Sequence, residues 1–113
     1  TIKVPLQGGL IDTKDIKVGS FIGDHTKTGI GTLLDTGCVI GVACNIFGGG
    51  TTPKFIPSFS WGGEAGFVEN ELDKVIEVAR LIMERRGVKQ TEADRELLKK
   101  LYELTAEERK KRK

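Results

Sequence analysis

Few side chains in this 113-residue chain have types suited to chemistry: one histidine, two cysteines and a handful of carboxylates. His25 lies in the run Ile22-Gly-Asp-His-Thr-Lys27. An imidazole titrates near neutrality, so it is the natural group to move a proton at physiological pH. Its place three residues after Ile22 puts it outward, near a corner of the backbone. Asp24 and Asp35 are outward carboxylates near corners, able to pair with Lys27. Cys38 and Cys44 occupy a small, inward position in successive six-residue units, on different faces. That separation exceeds the ~7 Å Cα limit for a disulfide. They read as buried core thiols in a reducing, cytoplasmic compartment. A reactive thiol needs exposure and a basic neighbour, and neither is evident. Two cysteines and one histidine are too few for a zinc cage, so no metal is expected. Gly48-Gly49-Gly50 is not a phosphate loop, since no Lys-Ser/Thr pair follows it.

The elements that must position these residues divide the chain in two. Fourteen of the fifteen glycines fall in residues 1–66. Residues 71–113 draw 30 of 43 positions from Glu, Lys, Arg, Leu and Ala, which are good helix formers. The first part reads as strands and turns, the second as helices. Residues 1–70 carry 5 basic and 6 acidic groups, and residues 71–113 carry 13 and 10. The net charge of +2 argues against whole-chain binding of nucleic acid. No apolar run approaches the ~18 residues of a membrane span, and Thr1 to Gly9 lacks a signal-peptide layout.

A six-residue period runs through the first part. Val4, Leu10, Ile16, Ile22, Thr28, Leu34, Ile40 and Ile46 follow at steps of six, and seven of the eight are aliphatic. Small residues (Ser20, Thr26, Thr32, Cys38, Cys44) sit two places before the later members. Gly23, Gly29, Asp35 and Gly41 follow directly after. Neither a helix nor a plain strand produces this period. A solenoid with short strands and tight corners does: the aliphatic residue fills a narrow interior and glycine turns the corner. Ile22→Asp and Ile40→Asp should then both be ruinous. The fold class expected is mainly β solenoid plus α. It is a short left-handed parallel β-helix over about residues 4–50, an aromatic loop over 51–69, and two to three α-helices over 70–113.

The run from Ile16 to Gly41 resembles the left-handed β-helix of sugar-phosphate nucleotidyltransferases, similar to the bifunctional N-acetylglucosamine-1-phosphate uridylyltransferase. Pro53-Lys-Phe-Ile-Pro-Ser-Phe-Ser-Trp-Gly-Gly63 resembles a segment of one bacterial branch. The likeness covers roughly residues 10–105. The N-terminal nucleotidyltransferase domain of that family has no counterpart here, so nucleotidyl transfer is not expected. The resemblance implies a homotrimer with prisms packed side by side. It also implies that His25 could act as catalytic base in a groove between subunits, with Lys27 or Asn45 as polar partners. In that alternative, acetyl-CoA is the acyl donor and an amino sugar or sugar phosphate the acceptor. Otherwise no cofactor is expected.

Between prolines and glycines, Phe55, Ile56, Phe59 and Trp61 read as a loop packed on the solenoid, or as an aromatic ligand platform. Asn70 with Asp73 predicts the cap of a first helix, striped by Leu72, Val75, Ile76, Ala79, Ile82 and Met83. Thr91 with Asp94 predicts the start of a second, striped by Leu97, Leu98, Leu101 and Leu104. Thr105 with Glu108 predicts a short third. The tail Arg109-Lys-Lys-Arg-Lys113 reads as a solvated helix end rather than a nucleic-acid patch. Helices this dense in charge and leucine arise through thermophilic ancestry or through surface redesign. The functional expectation is a homotrimerising structural module, which could serve as a component of an engineered symmetric assembly with a second chain.

Overall fold

A computed structural model describes residues 1–111. The chain opens with an antiparallel hairpin of β1 (Lys3–Leu6) and β2 (Gly9–Asp12). Gln7 and Gly8 join the two strands, both at positive φ, as a two-residue hairpin turn of the primed type requires. Very short strands follow: β3 (Phe21–Ile22), β4 (Lys27–Thr28), β5 (Thr32–Leu33), β6 (Val39–Ile40), β7 (Asn45–Ile46), β8 (Gly50–Thr51) and β9 (Phe55–Ile56). A second antiparallel hairpin, β10 (Ser60–Gly63) with β11 (Gly66–Glu69), leads into α1 (Leu72–Arg85), α2 (Glu92–Leu104) and α3 (Ala106–Lys110).

These strands form four small sheets: β1-β2, β3-β6-β9, β5-β8, and the mixed sheet β11-β10-β7-β4. Phe21 pairs with Val39 and Val39 with Phe55, Lys27 with Asn45 and Asn45 with Trp61, all in parallel. Glycine permits the tight approach of successive layers. A Cβ on Gly41 would lie 2.7 Å from the Cα of Ser58 in the next layer.

The expected left-handed β-helix over residues 4–50, with an aromatic loop behind it, is corrected by this pairing. The described residues form a small α/β fold of eleven short strands in several small sheets, with three helices, and no solenoid is found among them. Val4 and Leu10, read as its first two units, belong instead to the antiparallel β1–β2 hairpin. The segment read as a loop supplies β9, β10 and β11. The physical reason is that a two-residue strand commits little. Partners decide the sheet: Val4 and Leu10 at the start of the series pair antiparallel, and beyond its last member, Ile46, the chain turns into the antiparallel β10–β11 hairpin.

Two apolar clusters hold the molecule together. Cys38, Ile40, Cys44, Ile46 and Ile56 pack between the sheets, with Phe67 against them. Ala43, Phe59, Val75, Ala79 and Leu98 join the strands to the helices. Thr91 caps α2 in a full capping box: its hydroxyl accepts from the Asp94 N–H, and the Asp94 carboxylate accepts from the Thr91 N–H. The other two expected caps are corrected. Asn70 does not cap α1, because its amide donates to the Ala43 carbonyl (2.9 Å) and ties strand to helix instead. Thr105 spends its hydroxyl on the Leu101 carbonyl (2.8 Å), leaving α3 without a side-chain cap. Within the stripes, Ile82, Leu97 and Leu104 are exposed.

Candidate functional site

His25 sits between β3 and β4 at φ 60°, exposed, in a left-handed backbone conformation that a non-glycine residue seldom takes. The Asp24 carbonyl before it accepts from the Ala43 N–H (2.9 Å), which fixes the corner to the next layer. Lys27 and Asn45 are direct register partners on β4 and β7. The Lys27 ammonium donates to the His25 carbonyl (3.5 Å). Partial burial holds the Lys27 pKa below its ordinary value. Across from this corner lies the start of α2. The Asp94 carboxyl titrates below its usual range, chiefly because it accepts from the Thr91 N–H, with the His25 charge a lesser cause.

The expected partners Lys27 and Asn45 are thus adjacent to each other, and Asp94, expected only as a capping partner, also feels the His25 charge. A general base also needs a place for a substrate within hydrogen-bond reach. The two described cavities lie elsewhere. One of about 650 Å³ is walled by Leu6, Leu10, Pro53, Phe55, Pro57 and Phe67, with Glu108 and Lys111 the charged lining among the described residues. The other, about 570 Å³, lies beside Phe47 and Trp61, whose rings meet edge-on at 4.6 Å. The first was missed in the sequence because its floor includes the hairpin tip, read there as part of a solenoid.

The remaining candidates are structural. Cys38 and Cys44 are fully buried, without a disulfide, and the Cys44 thiol donates to the Pro57 carbonyl (3.2 Å). Asp35 accepts from the Thr36 N–H (2.8 Å) and shapes a corner. Among the described residues no cluster of His, Cys, Asp and Glu could hold a metal ion. The four aromatic-segment residues do not form one platform. Phe59 and Ile56 are core, whereas Phe55 and Trp61 face outward.

The basic tail departs most from expectation. Arg109, read as the first residue of a solvated end, is buried. Its guanidinium donates to Glu69 (2.9 Å), to the Ser58 carbonyl (3.1 Å), to the Thr105 hydroxyl (2.6 Å) and to the Tyr102 carbonyl (2.8 Å). It also stacks over the Tyr102 ring at 4.4 Å. The Tyr102 hydroxyl donates to the other Glu69 oxygen (2.6 Å), and that bond raises the phenol pKa. Nothing in a run of five basic residues announces that one is a buried latch. The signal is Glu69, an acid held at a strand end. Arg112 and Lys113 lie outside the described residues.

Outside the core, the sheet β3-β6-β9 has a second apolar face. Ile22, Ile40 and Ile56 form the inner row, and Phe21, Val39 and Phe55 align directly in the outer row. Phe21 is 52% and Phe55 36% exposed. Comparison with protein-family models, curated proteins and solved structures finds no match. Among the described residues no helix is long and apolar enough to cross a membrane.

Proposed function

We propose that the chain is a self-associating structural module that assembles as a homotrimer. The observation that carries this reading is the outer row Phe21–Val39–Phe55. An all-parallel sheet ordinarily has both faces covered, whereas the outer face of this one is apolar and leaves Phe21 and Phe55 exposed. Exposed aromatic side chains in a row favour a partner surface over water. The number three, and descent from a sugar nucleotidyltransferase-like protein, rest on the resemblance of residues 16–41 and 53–63. Two buried thiols without a bridge fit a reducing, cytoplasmic compartment.

Acetyl-CoA-dependent acyl transfer through His25 would need a groove completed by a second copy, since His25 is exposed and lines neither described cavity of the single chain. Light scattering across a dilution series tests the module reading. A mass of three chains, or a multiple, is expected. In Phe21→Lys/Phe55→Lys, circular dichroism should be retained and the trimer lost. A monomeric wild type at all concentrations would overturn the reading. A trimer that enlarges only with a second protein would make the chain one component of a mixed assembly.

A further inference from the structure

Among the described residues, no strand pairs with the layer of β3, β4 and β5 on one of its sides. Each of the three is an edge strand of its sheet, and each has its neighbour on the same side, in β6, β7 or β8. The Phe21 and Gly23 N–H groups donate to the Cys38 and Ile40 carbonyls (both 2.9 Å). The intervening N–H and C=O of Ile22 therefore point to the open edge. Lys27 and Gly29 donate to Cys44 and Ile46 in the same way, which aims the Thr28 groups outward too. Side chains follow the backbone. Ile22 and Leu34, which belong to the interior row, are 47% and 45% exposed, and Ile16 is 78% exposed. The preceding hairpin does not close this end. It packs beside β6 and buries Val4 there, while Leu10 and Ile11 stay exposed.

We propose that this end is covered by the same end of a second copy, related by a two-fold axis. Edge strands with free N–H and C=O groups are templates for another strand, and a two-fold sets facing strands antiparallel, the pairing open to short segments. An isologous contact places a surface against itself, so its charges must balance. Residues 14–35 carry three lysines (Lys14, Lys17, Lys27) and three aspartates (Asp15, Asp24, Asp35), a net charge of zero. The helical part of the chain, at net +3, would repel its own copy. The partner is again this chain, so the inference extends the self-association reading, but it uses a different surface and a different symmetry.

The parity of the assembly separates the two. Light scattering of the wild-type chain should give an even number of copies, six where the lateral contact also forms and two where it does not. Ile22→Asp, and independently Leu34→Glu, should halve that mass with the circular dichroism unchanged. Both sites are half exposed in a single chain, so folding does not depend on them. A wild type of exactly three copies would overturn the end-to-end contact and leave the lateral trimer standing. A dimer that both variants dissociate would establish the end contact and overturn the trimer. An even-numbered assembly whose mass neither variant changes would also overturn it.

Discussion

Ile22 and Ile40 are direct neighbours in register on adjacent strands of one sheet, with side chains on the same face, yet one is 47% exposed and the other 2%. The pattern around them is nearly the same: a glycine follows each, and a small residue precedes each by two. What differs is the covering. Beyond Ile40 lies β9 with Ile56, then Phe67 from the terminal hairpin. Beyond Ile22 the sheet has no further strand among the described residues. Periodicity assigns a side chain to a face, and only a neighbour turns that face into core. The largest test sets the two positions against each other. Ile40→Asp places a carboxylate in a dry interior and should cost at least ~4 kcal/mol, enough to unfold a domain of this size. Ile22→Asp should change single-chain stability by less than ~1 kcal/mol. Thermal melts of dilute protein compare them directly. Equal losses would mean that the open end is buried even in one chain.

The covered side depends on a latch that the open side lacks. Arg109 joins α3 to the Ser58 carbonyl and to Glu69, and thereby seats the helices against the β9–β10 connection and β11. Arg109→Ala leaves several acceptors without their donor. Glu69 remains partly in water, so the expected loss is ~2–3 kcal/mol rather than that of a fully buried pair. Glu69→Gln keeps an acceptor oxygen and should lose less. If Arg109→Ala melts like the wild type, the third helix contributes nothing to covering the second layer.

Legibility in the sequence follows the same division. The strand–helix partition, the buried thiols and the Thr91–Asp94 box were readable because each depends on local chemistry: composition, small inward residues, a three-residue spacing. The topology was not. Val4 continues the six-residue series as well as Ile16 does, but a Gln7-Gly8 turn sends it into an antiparallel hairpin, and no period contains that choice. Asn70 has the type of a cap, but the Ala43 carbonyl, 27 positions away, offered it a better use. The inward assignment of Ile22 and Leu34 took a repeat to imply a neighbour on both sides. Lys27 and Asn45 could be grouped from spacing, whereas Asp94 beside His25 depends on how the helices fold back.

A smaller effect separates local from long-range covering. Thr91→Ala removes one half of the α2 capping box and should cost ~1 kcal/mol, seen as a lower melting temperature with little change in helix content. That loss should be the same in an Ile22→Asp background, since cap and open end share no partner. Non-additivity in the double variant would mean that the α2 start and the β3–β5 layer are coupled, as the effect of the His25 charge on Asp94 would allow.

The smallest expected effect reads the latch alone. The single tyrosine of the chain, Tyr102, donates to Glu69, and this bond holds its phenol pKa above the ordinary value of 10. A folded-state pKa above the unfolded one means that the bond contributes its full stability below about pH 10, where an unfolded tyrosine begins to ionise. The contribution disappears as the pH rises through the folded value. Wild-type stability should therefore fall on the alkaline side more steeply than that of Tyr102→Phe. Ultraviolet titration of the lone phenol should show a midpoint displaced upward, and Glu69→Gln should reduce the displacement. An undisplaced midpoint would mean that Glu69 serves Arg109 only, leaving the latch on the covered side with one anchor fewer.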